Sequence, residues 1–323
     1  MTAPHSSTNG IPEDPFTVCK ALAAAKNANL YRAAMLLNEN RQRFFLASYA
    51  SMRVIDDIVD DGFLELPDAE RAENRADTLL AIDRWQAQIL AAKANIDNPH
   101  PDDGPLDHAV FRALRLTLGR SDLAADPWVH LADALRKDVA EEPLDEWDDF
   151  IRYCDGATAA PASIFVYLLS ARYDDVIGYV SPLGDSPLYY ARDMAIFCYI
   201  VHILRDLPDD IKGPDRLVTI PGEILAGADI SIGEIRNAIG QKQYDALQSL
   251  ADLMLEKAWE HFETGQARSA ELLAFLDADE TDTLSRLFTV YIELASLMTG
   301  GYGAFLAERA KIIRETAGNS LPE

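Results

Sequence analysis

The chain holds 323 residues, with 53 Asp and Glu against 29 Lys and Arg, a formal net charge of -24, and 49% hydrophobic residues. That much apolar side chain can fill a large core, while the negative balance excludes nucleic acid and anionic lipid as electrostatic partners. No apolar run reaches the roughly 18 residues that a membrane-spanning helix needs.

The elements predicted in chain order are almost all helical. Residues Met1 to Gly10 are polar and lack an apolar signal core, so 1–14 are expected as a disordered leader. A single all-α domain is expected over 15–315, a bundle of helices around a central apolar cavity, with a tail over 316–323. Apolar residues at three- and four-residue steps predict helices over Pro15–Lys26 and Asn38–Asp61, the second ending near Gly62. Asn27-Ala28-Asn29 reads as a break between them. A third helix follows Pro67 and carries Leu79, Ile82, Trp85 and Ile89. The Pro- and Gly-bearing stretch Asp97–Asp107 reads as a loop. Helices are then expected over Leu106–Leu118, Trp128–Asp138, Glu146–Ala171 and Ser186–Asp210. An irregular stretch from Gly213-Pro214 to Gly222 leads to two long closing helices, Ser231–Thr264 and Asp282–Arg314. Cys19, Cys154 and Cys198 lie far apart in apolar helical stretches. They are expected as reduced, buried thiols of a cytoplasmic protein, with neither a disulfide frame nor a zinc site.

Two acidic clusters carry the chemistry: Asp56-Asp57-Ile58-Val59-Asp60-Asp61 and Arg205-Asp206-Leu207-Pro208-Asp209-Asp210. Asp56 with Asp60, and Asp206 with Asp210, stand at i,i+4, which stacks two carboxylates on one helix face about 6 Å apart along the axis. Like charges at that spacing destabilise an isolated helix. Each cluster also extends an apolar run, Phe44–Ala50 in one case and Ala195–Val201 in the other, where a lone carboxylate is costly. Hard divalent cations that bridge to a phosphate would offset the repulsion. The acid-rich stretches Asp97–Asp107 and Asp145–Asp149 lack that apolar context and are expected to be solvated surface. Arg53 and Arg205 stand beside the two clusters, and the planar guanidinium fork suits a diphosphate as well as a neighbouring carboxylate. Between the clusters, Tyr153-Cys154-Asp155-Gly156-Ala157-Thr158-Ala159-Ala160-Pro161-Ala162-Ser163 is rich in small residues. It fits either a kinked wall of a hydrocarbon cavity or close helix packing.

These residues resemble the squalene/phytoene synthase family. Tyr49 to Asp61 is similar to its first signature, Tyr153-Cys154 and the small residues after it to its central segment, and Ile203 to Asp210 with Arg216 and Ile220-Pro221 to its second. Tyr291, Gly301-Tyr302 and Phe305 resemble its C-terminal helix. The resemblance implies Mg2+-dependent head-to-head condensation of two prenyl diphosphates, farnesyl diphosphate favoured, through a cyclopropyl diphosphate to a squalene- or phytoene-type product. By the same resemblance Asp56, Asp60, Asp206 and Asp210 hold Mg2+, for which Mn2+ can stand in, and NADPH would serve a reductive second step. Arg53, Tyr153, Arg205 and Arg309 then fall to substrate binding, and Tyr49, Tyr291 and Tyr302 to catalysis near the leaving group; Tyr199 and His202, which the family pattern does not carry, are expected from their own chemistry as a substrate-binding ring and a catalytic acid or base. Product release from such a protein implies transient membrane association.

The chain departs from the family pattern on the acceptor side. His202 stands where the family carries Asn, Tyr199 where it carries Gln, the stretch Asn27–Tyr31 replaces a Ser-Phe pair, and Ala160-Pro161 replaces Val-Gly. Two other readings therefore remain open: transfer of one prenyl group to a non-isoprenoid acceptor, and a non-catalytic relative acting as an assembly factor. Retention of repulsive carboxylate pairs argues against the last, and the Arg-Asp-x-x-x-Asp pattern argues against terpene cyclisation.

Overall fold

A computed structural model describes residues 14–25, 29–211 and 219–320. Residues 1–13 of the expected leader, Asn27 and Ala28 of the break, Gly213, Pro214 and Arg216, and residues 321–323 of the expected tail lie outside the described residues. The first helices are α1 (Pro15–Ala24), α2 (Asn29–Ala34) and α3 (Glu39–Val59). Asp14 and Asn38 cap α1 and α3 through side-chain oxygens, satisfying amides that have no intrahelical partner. Contrary to the expected stop at Gly62, α3 runs into a π-helical turn, Asp60–Leu64. Then follow α4 (Asp68–Lys93), α5 (His108–Leu116) and α6 (Asp126–Ala140). Asp107, expected as plain surface, is the N-cap of α5.

The single helix expected over Glu146–Ala171 is three pieces: α7 (Trp147–Cys154), a π-helical turn Asp155–Ala159, and α8 (Ala160–Ser170). Pro161 sits in the first turn of α8, where its missing N–H costs nothing, so the proline starts a helix after the irregular turn. A hairpin absent from the expected elements comes next, β1 (Arg172–Asp174) paired antiparallel with β2 (Gly178–Val180). Asp174 Oδ1 accepts from the amides of Val176 and Ile177 and shapes its turn. Helix α9 (Pro187–Asp210) carries the second acidic cluster, and α10 (Gly222–Gly227) follows. The long helix expected over Ser231–Thr264 is broken into α11 (Ile232–Gly240) and α12 (Gln248–Leu272), Lys242 taking a left-handed φ of 56° between them. Likewise Asp282–Arg314 is two helices, α13 (Ala278–Gly300) and α14 (Tyr302–Ser320).

Helix α9 is the axis of the bundle. Ile196, Phe197, Ile200, Val201 and Leu204 are fully buried, and α12, α8 and α13 pack round it. α12 and α9 approach closely because Gly265 offers no side chain: a Cβ there would stand 2.8 Å from the Met194 amide nitrogen. One turn away, Asp193 is 5% exposed and is clamped from α12 by Arg268 at 2.8 Å and His261 at 2.9 Å. Burial works against that charge, but the His261 hydrogen bond and the Arg268 charge hold its carboxyl below the ordinary value. All three cysteines are free; Cys19 and Cys154 are buried and Cys198 is half-buried. Among the described residues no helix is long and apolar enough to cross a membrane.

Gly265→Ala should therefore force α9 and α12 apart and destabilise the fold by about 1–3 kcal/mol. Urea unfolding should show a lower midpoint at unchanged slope, and an unchanged midpoint would remove the close approach as a constraint.

Candidate active site

The ends of α3 and α9 meet across a cleft of about 340 Å3 lined by Arg53, Asp56, Asp60, Tyr153, Tyr199, His202 and Asp210. The two motifs, remote in the chain, thus face one space, and the i,i+4 rule holds in the first: Asp56 and Asp60 line the cleft, while Asp57 turns toward solvent. Arg53 donates to both Asp56 and Asp57, so its fork is held by carboxylates at the cleft rim. Arg205 makes a two-pronged contact with Asp206, Nε to Oδ1 at 2.9 Å and Nη2 to Oδ2 at 2.5 Å. His202 Nε2 approaches the same Oδ2 at 3.0 Å. Burial opposes the Asp206 charge, but the Arg205 and His202 hydrogen bonds hold its carboxyl well below the usual carboxylate range.

A second cavity, apolar and about 160 Å3, lies deeper in the bundle between α8, α9 and α13. Pro161, Phe165, Met194, Leu287, Phe288 and Tyr291 line it. Ala157, in the second π-helical turn, lines both the acidic cleft and this cavity. The small-residue segment is therefore a cavity wall, and the close-packing alternative accounts for its outer side alone. Tyr291 reaches the cavity from α13, where burial pushes its hydroxyl up to about 12.

The Squalene/phytoene synthase family model matches residues 23–279. The chain belongs to that family of prenyltransferases. It is 27% identical over 241 residues to the bifunctional protein CrtB/UppS of Streptomyces coelicolor, a match that covers 74% of this chain but only 36% of that longer protein. It is 24% identical over 263 residues to a chloroplastic phytoene synthase 2 of Solanum lycopersicum, covering 81% of this chain and 76% of the relative. Among solved structures it resembles a dehydrosqualene synthase (TM-score 0.66, 16% identity, 94% of this chain and 96% of that one). It also resembles the squalene synthase HpnC from Alicyclobacillus acidocaldarius (TM-score 0.64, 18% identity, 92% and 94%). These structural likenesses establish the fold.

Not every residue expected from the squalene/phytoene synthase resemblance stands on the cleft wall. Tyr302 is fully buried, and its hydroxyl donates to the Leu204 carbonyl at 2.7 Å. The cause is Pro208, inside α9: lacking an N–H, it leaves the Leu204 carbonyl without its helical partner, and Tyr302 supplies one. Arg309, one end of which meets Asp209, similarly donates to the Arg205 carbonyl at 2.8 Å. Tyr302 is corrected from a site-lining residue to an anchor that holds the second motif in a proline-broken helix. Tyr49 stacks on Phe45 at 5.3 Å one turn before Arg53, and burial raises its hydroxyl's pKa.

The residue missed from the sequence is Asp138, on α6. It is 5% exposed, lines the cleft and accepts a hydrogen bond from Tyr153 at 3.1 Å. Burial first, and then the facing charges of Asp60 and Asp56, push its carboxyl up to about 8. A signal existed: Leu131, Leu135 and Asp138 lie at i, i+4 and i+7, so an acid occupies the apolar stripe of its helix. Glu65, just past the first π-helical turn, also lines the cleft.

The donor set fits a hard divalent cation in character, being carboxylate oxygens throughout. The carboxylates are spread along the cleft: among the described residues no group of three or more His, Cys, Asp or Glu is gathered so as to hold a metal by protein ligands alone. That spacing suits ions that share their coordination with a diphosphate.

Two outcomes follow for stability. Because folded Asp138 keeps its proton to about pH 8 while the unfolded value is 3.8, the folded state binds more protons across that window. Stability of the metal-free protein should then fall as pH rises from about 4 to 8, and Asp138→Asn should flatten the fall when melting temperature is scanned in EDTA. For the buried hydroxyl, Tyr302→Phe should cost about 1–3 kcal/mol by orphaning the Leu204 carbonyl. The loss should shrink when Pro208→Ala restores the helical donor; equal losses in both backgrounds would break the assignment.

Proposed function

We propose that this protein condenses two prenyl diphosphates head to head, with farnesyl diphosphate as substrate and Mg2+ as cofactor, through a cyclopropyl diphosphate to a squalene- or phytoene-type product. The observation that carries the reading is the junction at Ala157. One small residue separates an acidic cleft sized for a diphosphate from an apolar cavity suited to a hydrocarbon tail.

The chain's residues divide the work by their chemistry. Asp56, Asp60, Asp206 and Asp210 would hold Mg2+ or Mn2+, which supplies neutralising charge to the departing diphosphate. Arg53 and Arg205 can release their carboxylates to that cation and turn their forks to the phosphate oxygens. Arg309, tied to the Arg205 carbonyl, orients the neighbouring backbone. Phe165, Met194, Leu287 and Phe288 keep water from the allylic carbocation left by ionisation. Tyr153, hydrogen-bonded to Asp138, and Tyr291 place polar hydroxyls at the head and tail cavities.

Tyr199 and His202 favour a second reading, transfer of one prenyl group to a non-isoprenoid acceptor. Both line the cleft, their rings 6.5 Å apart: a flat surface to stack on and a base to take a proton. A purely structural assembly role finds no support in a cleft that keeps its repulsive acids.

Pure protein incubated with Mg2+ and farnesyl or geranylgeranyl diphosphate, with and without NADPH, should yield a head-to-head hydrocarbon or its cyclopropyl diphosphate precursor by mass spectrometry. Absence of both, with a prenylated acceptor formed instead, would favour the second reading. Asp60→Asn should abolish turnover without loss of stability, since it relieves repulsion. Asp206→Asn should abolish turnover and also lower stability, since Asp206 is tied to Arg205 and His202. Equal melting temperatures for the two variants would contradict these pairings. Diphosphate should raise the melting temperature with Mg2+ far more than without it. His202→Asn should keep diphosphate release and alter the product; an unchanged product and rate would remove His202 from the acceptor side.

A further inference from the structure

Behind the acidic cleft, on the outer side of the second π-helical turn, lies a groove of about 250 Å3 where α6, α7 and α9 meet. Its lining gathers cations in a chain of net charge -24: Lys137 from α6, Arg152 from α7 and Arg192 from α9, with His130 beside them and Asp133 and Asp155 facing them. Asp133 is drawn outward by Arg136 at 2.9 Å. Arg152, exposed, pairs with the half-buried Asp149. Arg192 makes a two-pronged contact with Asp155, Nε to Oδ1 at 2.5 Å and Nη2 to Oδ2 at 3.2 Å. Lys137, half-buried, has no ion pair among the described residues. Asp138 and Asp149 attract that ammonium through space, but its hydrogen-bond donors carry no partner among the described residues, which leaves them for an anion in the groove.

We propose that this groove binds a diphosphate-bearing anion, by charge-assisted hydrogen bonds from Lys137, Arg152 and Arg192. Three donors converging from three helices suit a ligand with several charged oxygens better than a single carboxylate. The floor is the turn Asp155–Ala159, pressed so tightly on α6 that a Cβ on Gly156 would stand 2.2 Å from the His130 carbonyl oxygen. The same turn presents Ala157 to the cleft and the apolar cavity. An anion that competes with Asp155 for Arg192 therefore acts on the turn separating the two halves of the candidate active site. The groove takes no part in the condensation itself, so its occupancy is measurable without turnover.

Inorganic diphosphate titrated calorimetrically into the full chain in EDTA should bind, and binding should weaken at least tenfold in Lys137→Gln/Arg152→Gln. Arg152 is exposed and Lys137 half-buried, and an unchanged melting temperature would show that the variant folds. Arg53→Gln, in the acidic cleft, should leave metal-free binding intact. A non-ionising thio-analogue of farnesyl diphosphate forms the second arm: with both ligands weakened in the variant, tighter binding of the analogue to the unaltered protein would identify a lipid head group as the source, and tighter binding of the inorganic ion a free diphosphate. No binding by the unaltered protein, an unchanged affinity in Lys137→Gln/Arg152→Gln, or a loss confined to Arg53→Gln would overturn the proposal.

Discussion

Asp56, Asp60, Asp138 and Asp210 line one cleft, and every notable feature around them answers their mutual repulsion. Arg53 is spread between Asp56 and Asp57, and Arg205, with His202, holds Asp206. Asp138, buried deepest, keeps its proton well above the ordinary carboxylate range. Each device lowers the cost of gathering acids in a partly desolvated space. Under the proposed function, each also leaves groups that a cation and a diphosphate would take over.

Irregular backbone recurs wherever the site needs a side chain aimed off the helical grid. π-Helical turns follow Asp60 and precede Ala160, and Pro208 interrupts the helix carrying the second motif. Such interruptions cluster at functional sites, but they free backbone groups that cannot stay unpaired in a core. Tyr302 settles that account for the Leu204 carbonyl, and Arg309 adds a donor to the neighbouring Arg205 carbonyl. The last helix thus serves the site through hydrogen bonds to backbone, and its tyrosine gains its importance from a proline more than ninety residues earlier in the chain.

The division between a charged cleft and a dry cavity gives the squalene/phytoene synthase fold its chemical logic here. In the proposed reaction, ionisation of an allylic diphosphate needs polar help at one end and exclusion of water at the other, and the two needs conflict unless a narrow wall separates them. Ala157 is that wall. Its π-helical turn is also the floor of the basic groove on the far side, so one short irregular segment touches all three spaces.

The helical class, the family and the two acidic motifs were legible in the sequence, because they rest on local spacing: i,i+4 carboxylates, flanking apolar runs, and arginines within a turn. Asp56, Asp60 and Asp210 face the cleft as that spacing predicts. The places where helices break were less legible. Ser231–Thr264 and Glu146–Ala171 read as continuous because helical periodicity passes through a left-handed Lys242 and a π-helical turn without changing its apolar pattern. Only the tertiary structure decided what Tyr302 and Asp138 do. Tyr302 looked like a site residue by its position in a motif, yet its partner is a carbonyl orphaned on another helix. Asp138 looked like one acid among 53, yet packing sets it opposite Asp60. Local spacing settles which side chains share a face, whereas burial and long-range pairing settle which face meets which, and those depend on helices packed from distant parts of the chain.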